Sequence, residues 1–443
     1  MTSPEPGTAQ SLSPQRLHVV MCAGACHPEV GSEFAVGWQW VTAAAKHHRV
    51  TLVTGDARGA AEAIARHLEG DAALRENLAV RVIPWFDPPR SQALERLWVA
   101  VPPIYYWYYR RWLRDAAAEM KKVIDREHVD LVHQVTYICY REPGKAWTLG
   151  LPFVWGPIGG TQDVPWAFLP ALGLYDGCRH SVRNLLNWWE IRWRRDVAQA
   201  MRGSAALTAV ASDTQRSILE RFRRSSVVIP ATSCGSGISM TRPERGDAPV
   251  RLVFSGLHIA RKGLPFALDA LGRLRELPWT LDVLGEGPLS QSWKRRAERR
   301  GIGDRVVFHG HLPRAKAVEI MGTADAFVFP SLQEGWPTVV IEALSLGLPV
   351  VTTRHHGMAD MIDETCGFPL RVASPAQLVD DLTNALRAIV SDSDLRQRLA
   401  AGARRRAEQF SREHQIEAIN GLYRHAMQSA SRQHHEQEDV LRP

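Results

Sequence analysis

A chain of 443 residues, 45% hydrophobic and 23% charged, has room for two or three soluble domains of ordinary size, and its formal charge of +7 suits an anionic partner such as a nucleotide, a phospholipid or a polyanionic acceptor. No apolar run reaches 18 residues, which excludes a membrane-spanning helix, and no nucleic-acid motif accompanies the basic residues, so nucleic acid is not expected as a partner. The six cysteines are scattered and no secretory h-region follows Met1, so a cytoplasmic location is expected; Cys22-x3-Cys26-His27 lacks the second ligand pair of a zinc site.

Residues 1–14 read as a disordered N-terminus. Strands are expected over 16–21, 50–53, 80–83, 131–133, 153–155, 207–211 and 227–229, alternating with helical stretches, which argues for α/β layers around a parallel sheet. The first strand runs into a loop where Gly31, Ser32 and Glu33 precede a helix, and glycine there permits close approach of a phosphate or sugar. Glu33 either faces that loop's ligand or caps its own helix. His133 stands at the carboxyl end of a strand, where open α/β sheets bind ligands; the alternative is a histidine that ties down a loop. Trp155–Thr161, with Gly159 and Gly160, is another strand-to-loop junction. Two stretches combine aromatic residues with arginine: 104–114, and Val182, Leu185, Leu186, Trp189 and Trp193 at helical spacing with Arg183, Arg192, Arg194 and Arg195 around them. This composition suits a bilayer interface, or else core and inter-domain packing with a solvated basic face.

The first domain, 15–230, ends at Pro230, and 231–249 reads as a linker rich in glycine, serine and proline. Strands at 251–255, 280–284, 306–309, 326–329 and 349–351 place a second domain over 250–410. A helix over 411–428 follows, and then a polar tail, 429–443, expected to be disordered. Within the second domain, Gly256 follows a strand, and Arg261 and Lys262 precede a helix. A guanidinium grips two phosphate oxygens as a fork, which an ammonium cannot. Glycine turns recur at Gly285-Glu286-Gly287-Pro288 and at Phe308–Leu312. The strand at 326–329 ends in Pro330-Ser331, a loop carries Glu334 and Gly335, and a helix from near Pro337-Thr338 carries Glu342 until Gly347 stops it. Two carboxylates thus bracket a helix N-terminus whose free amides favour a phosphate. Such a site suits a phosphorylated sugar; the plain alternative is an ordinary βαβ unit with solvated acids.

The 329–352 segment resembles the Glu-x7-Glu signature of the family 4 retaining glycosyltransferases, among the group 1 glycosyltransferases, including its flanking Pro-Ser, Glu-Ala and Gly-x-Pro-Val-Val. The resemblance covers about 16–428 and is tightest over 251–353. It implies the GT-B fold, two Rossmann-like α/β domains facing a central cleft with a C-terminal helix that crosses back to the first.

The resemblance implies catalytic roles for Glu334, His133, Lys262 and Arg261. Glu334 would bond the donor sugar, with the Gly335 and Trp336 amides nearby, and His133 would reach the same sugar. Lys262 would clamp the diphosphate. The family pattern puts a second clamp, an arginine, directly after Gly256; Leu257 stands there, and Arg261 would supply that charge. Glu342 would bond the ribose, Thr338 and Val339 would offer amides to the β-phosphate, and Gly256, Gly285, Gly310, His311 and Leu312 would line the rest of the donor site. Gly31, Ser32, Gly159 and Gly160 would shape the acceptor site. No metal or other cofactor is expected, because Lys262 and the helix terminus meet the charge on the departing diphosphate. The function implied is retaining transfer of a sugar from a nucleotide-sugar to a glycan, lipid-linked or small-molecule acceptor in polysaccharide or glycoconjugate biosynthesis, with an anionic membrane surface as a further partner. Its rivals are a nucleotide-sugar epimerase or phosphorylase on the same fold, which would turn over donor without acceptor, and a non-catalytic sugar-binding scaffold.

Overall fold

The computed structural model describes residues 16–85, 102–234 and 248–440. The expected N-terminal segment 1–14 and most of the expected linker lie outside the described residues. Two parallel sheets form two Rossmann-like domains, the GT-B arrangement. The first comprises β1 (His18–Ala23), β2 (Arg49–Gly55), β3 (Leu78–Ile83), β4 (Leu131–Thr136), β5 (Phe153–Ile158), β6 (Ala206–Ala209) and β7 (Val227–Val228), in the order β3-β2-β1-β4-β5-β6-β7. The second comprises β8 (Val250–Ser255), β9 (Trp279–Leu284), β10 (Val306–Gly310), β11 (Ala326–Phe329), β12 (Val350–Thr353) and β13 (Gly367–Leu370), in the order β10-β9-β8-β11-β12-β13.

Helices cover both faces of each sheet, so β1, β4, β5 and β11 are buried at every residue. That is why β1, β5 and β11 read as mostly apolar runs, whereas β4 buries His133, Gln134 and Thr136 among its apolar residues. The strand order reverses between β1 and β4 in one domain and between β8 and β11 in the other. Loops leaving the carboxyl ends of strands diverge at such a switch point and open a crevice there. The fold therefore nominates four loops for a site before any side chain is considered.

All twelve expected strands are present. The thirteenth, β13, was not expected from Gly-Phe-Pro-Leu; it pairs only with β12, and a proline is tolerated on such an edge. The helix expected near Glu413–Met427 is one helix, Arg412–Val440, and it runs through most of the segment expected as a disordered tail. It does return to the first domain, where Ile419, Leu422, Tyr423 and Ala426 are core residues beside β1 and β4. The two crossings between domains lie side by side, with the Cys234 amide donating to the Phe410 carbonyl at 2.8 Å.

The two aromatic-basic stretches part company. In the helix Pro102–Ile124, Tyr109, Trp112 and Leu113 are buried in the first domain's core. The bilayer reading fails for those residues, although Trp107 is exposed. In the helix Leu174–Trp193 the apolar residues at helical spacing are exposed.

Candidate active site

The loop after β11 turns Glu334 back towards the loop after β8. The Lys262 Nζ lies 2.7 Å, and the Arg261 Nη1 2.9 Å, from the same Glu334 oxygen, Oε1. The Ser331 hydroxyl donates to it at 2.8 Å. Among the described residues nothing bonds Glu334 Oε2. Burial alone would push the Glu334 pKa up, but Lys262 and Arg261 hold it below the ordinary carboxylate range. Burial also pulls the Lys262 pKa down, against the Glu334 charge. The lysine stem lies along Gly256 and its ammonium stands 4.9 Å over the Phe329 ring.

Gly263 makes this turn possible. Its φ is +71°, and a Cβ there would fall 2.0 Å from the Pro330 carbonyl oxygen. Only glycine lets the Lys262 loop press against the Glu334 loop this closely.

The helix Thr338–Ser345 starts at the end of the Glu334 loop, with Pro337 in the cap position. Its first amides, Thr338 and Val339, have no partner within the helix. Glu342, one turn along, is 17% exposed at its side chain and pairs with Arg314 at 2.7 Å. Gly285 and Gly310 are joined at the ends of β9 and β10, the Gly285 amide donating to the Gly310 carbonyl at 2.9 Å. His311 is exposed and Leu312 packs on the second domain's core.

A cleft of about 500 Å³ separates this cluster from the first domain. Of the residues expected at the site, Ser32, Gly159, Gly160, Arg261, Glu334, Gly335, Trp336 and Thr338 line it, and Lys262 stands directly behind Glu334. Gly256, Gly285, Gly310, His311, Leu312, Val339 and Glu342 stand off its walls, as does Gly31. Glu33 lines the cleft and does not cap its own helix; its Oε2 accepts from the Ile138 amide at 3.1 Å, and burial pushes its pKa up to about 7.

His133 requires a correction. It does not face the cleft. It is fully buried, and its Nε2 donates to the Gly156 carbonyl at 2.9 Å while its Nδ1 accepts from the Tyr423 hydroxyl at 2.8 Å. Both nitrogens are spent on fastening the returning helix to β4 and β5, which leaves neither for a sugar. Burial pushes its pKa down to about 3 from an ordinary 6.5. The unfolded chain therefore takes up that proton first, so this histidine's contribution to stability is whole above about pH 6.5 and falls away as pH drops towards 3. His133→Ala is expected to cost about 3 kcal/mol of stability from the cavity and the lost bonds. Turnover of the folded fraction should stay near wild type. Denaturant melts beside initial rates check this, and a lost rate at unchanged stability would restore a role in the chemistry.

Residues that the sequence reading left out of the site include Gln162, Gln333, Asp176, Arg179 and His180. Arg183, noted only for its helical setting, lines the cleft as well. Asp176, Arg179, His180 and Arg183 recur at intervals of three and four, which places them on one helix face. Gln333 Nε2 donates across the cleft to the Gln162 carbonyl at 2.8 Å. Deeper in the same interface, His356 sits between Asp213 Oδ2 at 2.5 Å and the Asp163 carbonyl at 2.8 Å. The Ser212 amide and hydroxyl both donate to Asp360 at 2.6 Å. The two domains are thus fastened together at one end of the cleft.

No group of three or more metal-ligating side chains occurs among the described residues. Burial pushes the Cys22 thiol up to about 12 and the Cys26 thiol higher still, so both stay protonated. No helix among the described residues is long and apolar enough to cross a membrane.

Residues 242–406 match the family model of the group 1 glycosyl transferases. Among curated proteins, the sulfoquinovosyl transferase SQD2 of Arabidopsis thaliana is 31% identical over 160 residues, 35% of this chain and 30% of that one. The glycogen synthase of Mycobacterium tuberculosis is 32% identical over 37% of this chain and 39% of its own length. The MMP alpha-(1->4)-mannosyltransferase of Mycolicibacterium hassiacum is 27% identical over 51% of this chain and 56% of its own. The chain spans about a third of the length of the first relatives it matches. Among solved structures, Anabaena HepE with UDP and glucose covers 94% of this chain and all of its own, with a TM-score of 0.54 at 16% identity. A glycosyltransferase from Rickettsia africae reaches a TM-score of 0.61 at 13% identity, covering 93% of this chain and 99% of its own. WaaG, a glycosyltransferase of lipopolysaccharide biosynthesis, matches over 91% of this chain and all of its own, with a TM-score of 0.54 at 19% identity. These likenesses establish the fold.

Proposed function

We propose that this protein is a GT-B glycosyltransferase of the group 1 kind, moving a sugar from a nucleotide-sugar to an acceptor hydroxyl with retention of configuration, in glycoconjugate biosynthesis. The observation that carries this reading is the Glu334–Lys262–Arg261 cluster at the switch point of the second domain, facing the cleft. Glu334 Oε1 takes three donors, so Oε2 is left for a hydroxyl of the donor sugar. Lys262, Arg261 and the Thr338 and Val339 amides, which have no partner within their helix, would meet the diphosphate.

In the reaction the bond between the anomeric carbon and the diphosphate oxygen breaks, and the diphosphate leaves with the electron pair. The acceptor oxygen bonds the same carbon from the same face and gives its proton to the departing phosphate. Fixed cations and amides that meet the growing charge lower the barrier without a metal ion. The contacts between Gln333 and Gln162, and between His356 and Asp213, hold the domains together, and closure of the cleft around a bound donor would exclude water from the reacting carbon. Glu342 would bond the ribose once Arg314 gives way. Arg314 is 75% exposed at its side chain, so this ion pair contributes little and is easily exchanged. HepE, on the same fold, is solved with UDP and glucose, which supports a nucleotide-sugar as the donor. We place the enzyme in the cytoplasm, where nucleotide-sugars are made, and at the surface of a membrane for part of its cycle.

Thermal melting with UDP-, GDP-, ADP- and dTDP-sugars tests the reading, since binding to the folded state alone raises Tm by mass action. One selective shift is expected, and it names the base. No shift with any of the four would favour a scaffold. Donor consumed at full rate without acceptor would favour an epimerase or phosphorylase.

A further inference from the structure

The helix Leu174–Trp193 is built the wrong way round for a soluble surface. Tyr175, Val182, Leu186, Trp189 and Trp193 follow one another at intervals of seven, four, three and four, and each is more than half exposed. A monomeric soluble protein rarely displays so continuous an apolar stripe. Its buried face is polar instead, with His180, Asn184 and Asn187. Arginines surround the exposed face: Arg179, Arg192 and Arg195 are all exposed, and Arg192 stacks on Trp188 at 4.6 Å. Tryptophan and arginine around an apolar stripe are the composition of a helix lying in a bilayer interface.

The edge of the same helix that borders the cleft carries Arg179, His180 and Arg183. The neighbouring cations are already paired, Arg141 with Glu190 and Arg261 with Glu334. Arg183 has no hydrogen-bond or ion-pair partner among the described residues, and Arg179 has only Asp176 at 3.9 Å. His180 is 5% exposed, and its Nδ1 is a buried nitrogen without a hydrogen-bond partner. Burial lowers the Arg183 pKa, and Arg141 and Arg261 lower it further, outweighing the nearby Asp163, which raises it without bonding the guanidinium. A site with a free guanidinium, an orphaned imidazole nitrogen and an excess of positive charge is complementary to a phosphate.

We propose that this helix is the acceptor element of the enzyme: its exposed face seats in the surface of a bilayer, and Arg179, His180 and Arg183 bind the phosphate of a lipid-linked acceptor whose sugar hydroxyl enters the cleft. The inference rests on the transferase reading and deepens it by giving the acceptor a chemical class. The phosphate joins sugar to lipid, so it must lie between the bilayer and the reacting hydroxyl. The arginine edge of the helix lies in that order, between the apolar stripe and the Glu334 wall.

The test is cosedimentation of the full chain with phosphatidylcholine vesicles, alone or containing a polyprenyl diphosphate. Wild type is expected to bind both, and the diphosphate vesicles about ten- to a hundredfold more tightly. The double variant Trp189→Ser, Trp193→Ser should lose most binding to either vesicle. Both residues are exposed, so its melting temperature should hold. Arg183→Gln should still bind plain vesicles but lose the gain from diphosphate. Wild type that ignores vesicles of either kind overturns the proposal, as does Arg183→Gln with the full gain. A dimer that the double tryptophan variant dissolves, without vesicle binding, would assign the stripe to a second copy and overturn it too. The nucleotide-sugar melting shift, read on the same proteins, separates the two readings. A shift without vesicle binding removes this inference and leaves the transferase standing; vesicle binding without any shift leaves a helix that seats in a bilayer and removes the transferase, and with it the helix's role as acceptor element.

Discussion

Glu334→Gln is expected to lower kcat by about a hundred- to a thousandfold while nucleotide binding survives. The amide keeps the shape of the side chain but removes the charge that Lys262 and Arg261 share. Both cations lie against Glu334 in a wall that is mostly shielded from water, with side chains 12% and 27% exposed. Removing one partner of such a cluster leaves the others uncompensated and costs about 3 kcal/mol. The ligand-free variant should therefore melt earlier than wild type. A diphosphate brings its own negative charge to the same cations, so nucleotide should raise the variant's Tm by more than it raises that of wild type. The pH dependence follows from the same pairing. The carboxyl's folded pKa lies below its ordinary 4.5, so the pairing stabilises the fold fully above about pH 4.5 and is lost as pH falls through the depressed value. Normal turnover by Glu334→Gln would remove the residue from the chemistry. A nucleotide shift smaller than that of wild type would mean that no diphosphate sits on these cations.

Lys262→Met tests the other half of the cluster. Methionine keeps the apolar stem that lies along Gly256, and it removes the ammonium together with its contact over Phe329. Affinity for a nucleoside diphosphate should fall about ten- to a hundredfold, the effect of one charge-assisted bond to a buried anion. Affinity for the parent nucleoside should stay where it was. Turnover should fall more steeply than affinity, because the charge that Lys262 meets grows as the sugar departs. Calorimetry with the two ligands, followed by initial rates, decides the matter. Equal losses for nucleoside and nucleoside diphosphate would mean that Lys262 holds the loop and not the phosphate.

The Glu334 wall of the cleft was legible in the sequence because one short stretch builds most of it. Glu334, Gly335, Trp336 and Thr338 follow each other within one strand–loop–helix passage, and Lys262 sits in a second such passage beside it. Strands buried on both faces announce themselves as apolar runs, which is why β1, β5 and β11 were found. His133 shows the limit of that signal. In a central strand both faces are covered, so position at the carboxyl end does not say whether a side chain turns to the cleft or to the core. Tyr423, almost three hundred residues further on, decides it. Arg183 shows the opposite failing. Its spacing made it one more basic residue around an amphipathic helix, and only packing of the helix's polar face into the domain turned it towards the cleft. The aromatic stretch at 104–114 and the one at 182–193 both combine aromatic residues with arginine. The first buries Tyr109 and Trp112 against the sheet, and the second exposes Trp189 and Trp193. Composition records what a helix can bury, not whether a neighbour arrives to cover it.

The helix Arg412–Val440 belongs to the first domain in space and to the end of the chain in time. Ile419, Leu422, Tyr423 and Ala426 fill a core whose other members, such as Val19, Leu131 and Val154, leave the ribosome hundreds of residues earlier. A newly made first domain must wait, with that face of its sheet open to water and to chaperones, while the whole second domain is synthesised. Domains usually fold as units in the order in which they emerge. Here the second domain can close its core first, and the first is sealed last, when Tyr423 meets His133. A ribosome that stalls before this helix would release a molecule with a sound second domain and an unfinished partner, and quality control would find its target at the amino-terminal end.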